Sequence, residues 1–390
     1  MGTLRFLLAI SVVLSHSSSI FGFSFIGGQI AVQAFYIISG FYMTLILNEK
    51  YVGVNSSYKL FISNRFLRLY PIYWTVLSLT ILYSVSVFIF SHGKHMGNFD
   101  VYAAHFSTMS FQSLAFLVFT NIFLFLQDVV MFLGLDTTTG HFFFTANFRE
   151  TNPPVYQFLF LPQAWTVAVE ITFYLIAPFI VRKKLKIVIL LVILSLILRL
   201  LIYYGLGLKN DPWTFRFFPT ELIFFLLGTV SYHIYKRLRH VEIKDTYLKI
   251  IWGSIVGFTL IYNFLPISPD SYFYVIAFFI SLPFVFILTK NWKKDAYIGE
   301  LSYPIYISHW SVLTVIKALK LPLIGGLGLN LTIVTIVFSI VLNELVAKRI
   351  ERIRQKRIRP DTNFGIAASK QATIVDKNVT SLLPAIDTLP

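Results

Sequence analysis

The sequence predicts an all-α integral membrane protein with about ten transmembrane helices, one re-entrant segment and both termini in the cytoplasm. Three observations carry that prediction. Hydrophobic residues make up 56% of the 390 and charged residues only 13%, with a mean hydropathy of +0.72; a soluble domain is about 25% charged. Apolar runs recur about ten times, at roughly the 20-residue length that spans a bilayer core. Most of the 33 Lys and Arg fall in alternate connecting loops, as the positive-inside rule requires. This composition excludes a soluble enzyme, a disordered chain and a secreted disulfide scaffold. With no cysteine, a thiolate metal site and a cysteine nucleophile are excluded too. The formal charge of +15 is explained by topology, so no nucleic-acid partner is expected.

The elements follow in order, from a cytoplasmic N-terminus. Spans are predicted over 4–21, 29–48, 69–91, 165–181, 187–206, 217–235, 250–265, 272–289, 302–319 and 328–347. The first carries Arg5 and ends in Ser15-His16-Ser17-Ser18-Ser19, a pattern a signal peptide shares; the ionisable residues within it argue for its retention. The loop 49–68 holds Lys50, Lys59, Arg65 and Arg68 inside. Arg182-Lys183-Lys184 and Lys186 return the chain to the same side. Between 69–91 and 165–181 the crossings must therefore be even in number. Residues 106–134 then form a re-entrant hairpin or two half-helices; Asn121, Gln127 and Asp128 suit a segment lining a cavity. The alternative is one ordinary span that breaks the charge rule. Residues 1–347 make the membrane domain. The tail 348–390 begins as a basic amphipathic segment suited to an anionic membrane surface, then becomes disordered.

Ionisable residues at bilayer depth cost roughly 2.5–3.5 kcal/mol each, so each asks for a reason. Arg5 and His16 lie within about 20° of one helix face and about 16 Å apart along the axis. His16 falls about 18 Å and Glu170 about 22 Å above the cytoplasmic edge, with Arg199 and Glu221 near the same layer. For Arg199 and Glu221 a structural ion pair is the better reading. For His16 and Glu170, a carboxylate that orients an imidazole makes it a general base; the alternative for His16 is a hydrogen bond to a neighbouring helix. Arg65 and Arg68, spaced i, i+3, either clamp a phosphate or carboxylate or anchor the topology. His309, about 10 Å from the cytoplasmic edge, is too shallow for the layer of His16.

Five stretches in order resemble acyltransferase family 3, the integral-membrane acyltransferases of cell-surface molecules. Arg5 and His16 match an Arg, ten residues, His signature. Phe35-Tyr36-Ile37-Ile38-Ser39-Gly40-Phe41 resembles an aromatic, Ser-Gly-Phe helix. Arg65-Phe66-Leu67-Arg68 with Tyr70-Pro71-Ile72-Tyr73-Trp74 is similar to Arg-x-x-Arg followed by Pro-x-Tyr. Trp165-Thr166-Val167-Ala168-Val169-Glu170 resembles Trp-Ser-x-x-x-Glu, with Thr166 keeping the hydroxyl. Ser302-Tyr303-Pro304-Ile305-Tyr306-Ile307-Ser308-His309 resembles Ser-Tyr-x-x-Tyr-x-x-His. The resemblance implies a standalone membrane O-acyltransferase in a bacterial cell membrane. It implies a cytoplasmic acyl-CoA donor, most often acetyl-CoA, a glycan or lipid-linked saccharide acceptor, and no metal. His16 and Glu170 are then the catalytic candidates. Arg5, Arg65, Arg68 and His309 are candidates for holding the donor, and Trp165, Ser39, Tyr303 and Asp128 for contacting substrate. A transporter of polyprenyl-linked saccharides is the alternative, since ten helices and buried charges suit it as well.

Single-cysteine labelling in this cysteine-free chain tests the topology. Positions within 92–112 and within 135–163 should both react with an impermeant reagent in intact cells; labelling of only one set contradicts the re-entrant assignment.

Overall fold

A computed structural model describes residues 1–267, 272–320 and 324–358. The segment of the tail expected to be disordered lies outside them. Among the described residues the chain is almost wholly helical: α1 Gly2–Ser15, α2 Gly28–Glu49, α3 Tyr58–Phe90, α4 Asp100–His105, α5 Phe111–Phe123, α6 Trp165–Ile180, α7 Leu185–Leu200, α8 Phe218–Leu238, α9 Asp245–Ile261, α10 Phe273–Thr289, α11 Lys293–Glu300, α12 Ser302–Ala318, α13 Leu327–Leu342 and α14 Lys348–Lys356. One short antiparallel pair, β1 Leu133–Leu135 with β2 Phe142–Phe144, is the exception. Helix is the expected solution in hydrocarbon, where each backbone N–H and C=O must find a partner within its own segment. Among the described residues six helical runs are long and apolar enough to cross a membrane, and the apolar helices α1, α5 and α10 are shorter. The chain is an all-α membrane protein.

Three elements differ from the sequence-based expectation. α1 stops at Ser15, with His16 as its C-cap, rather than continuing to residue 21. Ser15 Oγ donates to the Val12 carbonyl and Ser17 Oγ to that of Val13, so polar side chains satisfy the last carbonyls and end the helix. α3 starts at Tyr58, about three turns before the span predicted from 69; Arg65 and Arg68 lie within it. Helical hydrogen bonding continues through the interfacial region, which a hydropathy boundary excludes. Residues 106–134 hold a single helix, α5, whose 13 residues reach about 20 Å, short of the roughly 30 Å hydrocarbon core.

The chain divides into two compact units. The first comprises 1–71, 176–190 and 224 onward, and α1 is its central helix. α1 is apolar around its circumference, and Leu4, Leu8, Ala9, Val12 and Val13 are all buried; such a helix belongs in an interior. It packs on α2, α11, α12 and α13. Between lipid-embedded helices little hydrophobic gain remains, so close backbone approach matters most. A Cβ on Gly2 would lie 1.6 Å from the Asp295 carbonyl oxygen, and one on Gly299 2.6 Å from the Gly2 Cα. The Asp295 carboxylate caps the same end, accepting from the Gly2 and Thr3 N–H groups at 2.6 and 2.8 Å. α2 and α8 cross in the same manner: a Cβ on Gly40 would sit 1.8 Å from the Phe225 oxygen, and one on Gly228 2.0 Å from that of Ile37.

The second unit comprises 72–175 and 191–223. Arg199 donates to Glu221 at 2.8 Å and to the Thr214 carbonyl at 2.6 Å, both side chains being buried. This is the structural pairing expected from the sequence. Asn121 is a second anchor. Its amide donates to the Leu117 and Phe158 carbonyls, its oxygen accepts from the Phe160 N–H, and its backbone carbonyl accepts from Tyr73. Asn121 therefore does not line a cavity as expected; its polarity is consumed in joining the α5 segment to residues 158–160.

Replacing Gly40 with leucine should abolish stable expression, because backbone blocks the new side chain. Arg199→Met should lower stability by about 3–5 kcal/mol by removing the cation that pairs with the buried Glu221. The double variant Arg199→Met/Glu221→Leu should recover most of that loss in thermal unfolding of the detergent-purified protein.

Candidate active site: a histidine pair and an arginine cluster

α1 and α12 each bring one histidine to the first unit. The apolar contacts of Ala9, Ile10, Val13 and Leu14 with Leu301, Ile305, Val312 and Leu313 hold the two helices together. His16 Nδ1 lies 3.1 Å from His309 Nε2, and the rings stack with centroids 5.0 Å apart. Trp310 meets His16 edge-on. His309 is fully buried and His16 is exposed.

Hydrogen-bond roles fix the tautomers. His309 Nδ1 faces the Tyr306 carbonyl at 2.6 Å; a carbonyl only accepts, so this nitrogen carries the proton. In the neutral ring Nε2 of His309 is then an acceptor. His16 Nδ1 faces two acceptors, this nitrogen and the Val12 carbonyl at 3.0 Å, and so it is protonated as well. The basic lone pair of neutral His16 is thereby assigned to Nε2. A second group that holds an imidazole in one tautomer is the relay that makes a histidine a general base. His16 also caps the C-terminus of α1, where the helix dipole favours the imidazolium formed on proton uptake.

The depth expected for His309 is corrected here. Counting from Ser302 placed it well below His16. α11 runs almost directly into α12, with only Leu301 between them, and it is Gly299 that meets Gly2. From Gly299 to His309 is about 15 Å of helix and from Gly2 to His16 about 21 Å; the 3.1 Å contact between the rings, not equal path length, puts the two imidazoles side by side. Arg5 Nη1 lies 3.3 Å from where a Gly299 Cβ would be, so Arg5 and His16 do share the face of α1 turned to α11 and α12.

At the Arg5 end, Arg5 lines a small cleft with Tyr42, Lys290 and Asp295. Arg65 is buried, and its Nε and Nη1 have no hydrogen-bond partner. Arg68 Nη1 lies 3.7 Å from Glu351 of α14. Arg357 donates to Asn64 and Ser63 at 3.0 and 2.8 Å. The amphipathic start of the tail, expected at an anionic membrane surface, thus packs on α3. Sequence reading missed this contact; its signal was Glu351 and Arg354, spaced i, i+3 in an otherwise basic run.

The other candidates fall as follows. Tyr303 donates its hydroxyl to the Leu69 carbonyl at 2.9 Å, and Ser39 is buried in α2. In the second unit, Glu170 accepts from the Tyr174 hydroxyl at 2.6 Å. Trp165 lies under the Arg216 guanidinium, 4.2 Å from its ring centroid, while Arg216 pairs with Asp211 at 2.5 Å. Asp128 is buried with Oδ1 unpartnered, beside Gln127, whose amide atoms are unpartnered as well. Among the described residues no group of three or more His, Cys, Asp or Glu has the arrangement of a metal site.

A helical membrane domain with an oriented, exposed histidine and a buried arginine cluster has the parts of an acyl-transfer catalyst. The family model described as an acyltransferase domain, that of acyltransferase family 3, matches residues 2–344, and the chain belongs to this family. It is a membrane acyltransferase, which sets aside the transporter alternative. No curated protein and no solved structure gives a significant match.

The tautomer assignment predicts selective chemistry. Diethyl pyrocarbonate should carbethoxylate His16 and leave His309 unmodified in the folded protein, as read by peptide mass spectrometry. Equal modification of the two would contradict the arrangement.

Proposed function

We propose that the protein transfers an acyl group, acetyl in the first instance, from cytoplasmic acyl-CoA to a hydroxyl of a cell-surface or lipid-linked glycan. It does so as a ten-span protein of a bacterial cell membrane, with both termini in the cytoplasm. The observation that supports this reading is His16, held by His309 with its basic nitrogen defined, on the helix whose other end carries Arg5. Arg65, Arg68 and Arg5 hold the anionic end of CoA. The roughly 16 Å from Arg5 to His16 is of the order of an extended pantetheine arm, so the thioester reaches the imidazole.

His16 Nε2 takes the proton of the acceptor hydroxyl as its oxygen attacks the thioester carbonyl. The carbon–sulfur bond breaks, and the CoA thiolate leaves and recovers that proton from the imidazolium. An acyl-His16 intermediate is the two-step variant: Nε2 attacks the thioester carbonyl and the C–S bond breaks with loss of the CoA thiolate; the acceptor oxygen then displaces Nε2 from the acyl carbon, and its proton passes to the thiolate. His309 acts through His16 as a positioning residue. Glu170 is the second proposed catalytic group. Trp165, Ser39 and Asp128 remain proposed substrate contacts. Tyr303, with its hydroxyl proton engaged by Leu69, suits a scaffolding role better than oxyanion stabilisation.

Two measurements on one purified protein test this. His16→Ala should retain CoA binding and lose acyl transfer by at least the 10²–10⁴-fold expected of a missing general base (an order-of-magnitude figure). Arg65→Ala/Arg68→Ala should weaken CoA binding, each charge-assisted hydrogen bond contributing about 1.5–3 kcal/mol. Lysine at these positions should restore it only in part, because the fork geometry is lost. Wild-type transfer by folded His16→Ala, or unchanged CoA affinity in the double variant, refutes the corresponding assignment.

A further inference from the structure

Helix α14 lies beyond residue 344, where the match to the family ends, and yet it is tied into the arginine cluster. It continues α13 through a π-helical turn, Asn343–Ala347, as one helical run from 327 to 356. That run is about 45 Å long, against a hydrocarbon core of about 30 Å, so its last turns extend past the core. Arg357 fastens them to Ser63 and Asn64 on α3. The fastening buries Arg354, which is 5% exposed, close to Arg65, which is 4% exposed.

Charge in this cluster does not balance. Arg65, Arg68, Arg354 and Lys50 act on one another there, and Glu351 is the carboxylate that pairs directly, accepting from Arg354 and lying 3.7 Å from Arg68. Glu300 stands on the Arg68 side, but burial pushes its carboxyl up, so it offsets less. Burial, and then Arg65 and Arg354, pull the Lys50 ammonium down to about 7. Three buried guanidinium N–H positions, Nε and Nη1 of Arg65 and Nε of Arg354, have no acceptor. Buried donors without acceptors are costly, and buried cations without anions more so. Guanidinium forks converging from two helices suit the several oxygens of a phosphate ester better than the single plane of a carboxylate.

We propose that α14 completes a buried phosphate-ester site on Arg65 and Arg68, with Arg354 as a further donor-binding residue and Glu351 as the internal counter-ion that a bound phosphate displaces. The inference rests on the acyl-CoA reading above and adds to it both a residue and a means of restraint. Without donor, Glu351 holds the arginines together; with donor, its carboxylate gives way to a group of higher charge. A phospholipid headgroup carries the same phosphate-ester chemistry, and the test separates the two sources.

The experiment is equilibrium binding of labelled CoA to the full chain in nanodiscs of neutral phosphatidylcholine, repeated with phosphatidylglycerol. Arg354→Gln should weaken CoA binding about tenfold or more, the order expected for one lost charge-assisted contact. Glu351→Gln should tighten it severalfold. Misfolding cannot produce a gain in affinity, so the second variant decides the matter if the first does not fold. Unchanged or weaker binding by Glu351→Gln overturns the proposal. Affinity that depends on Arg65 and not on Arg354 or Glu351 also overturns it and leaves the acyl-CoA reading standing. If the substitutions alter only the stabilisation by phosphatidylglycerol, the site is a lipid site and the proposal falls. If the folded wild-type protein binds no CoA, both readings fall.

Discussion

The backbone contact between Gly2 and Gly299 sets the height of everything above it. Any side chain at either position would collide with the opposing helix, and separating the helices would shift α1 along or away from α12. With the contact in place, α1 and α12 run on from it side by side, and the imidazoles of His16 and His309 meet at 3.1 Å. The carbonyl of Tyr306 then determines the tautomer of His309, and His309 that of His16. A steric constraint at one end of the helix pair thus becomes a proton assignment at the other. Asp295 reinforces it by binding the first N–H groups of α1, which would otherwise be unsatisfied at a helix start.

Buried charge has two fates in this molecule. Arg199 donates to the Glu221 carboxylate and to the Thr214 carbonyl, which accounts for this pair in apolar surroundings without any ligand. Arg65 is as deeply buried and leaves two donor atoms without acceptors. The two arginines differ in that satisfaction, which depth alone does not reveal. The same contrast separates Asn121, whose amide is fully engaged, from the nearby Gln127 and Asp128, which retain unpartnered buried atoms.

Much of the fold was legible in the sequence because the bilayer imposes a one-dimensional rule: apolar runs of sufficient length become helices, and basic residues mark one side. The helices came out close to their predicted positions, and the spacing of Arg5 and His16 correctly gave their shared face. The errors sit at helix ends, where the rule weakens. Ser15 and Ser17 end α1 by hydrogen bonding to its own carbonyls, which hydropathy does not register. Arg65 and Arg68 lie inside α3 because a helix does not stop where the hydrocarbon does.

The sequence by itself determined the class of the protein and the order of its helices, since each follows from composition, period or motif along a single chain. Only the tertiary structure decided that His309 stands against His16, that Tyr303 is engaged by Leu69, and that α14 folds back onto Arg65. Each of those depends on the axial offset between helices remote in sequence. That offset is set by which backbones can touch and by which buried donors find acceptors, neither of which is written in the local order of residues.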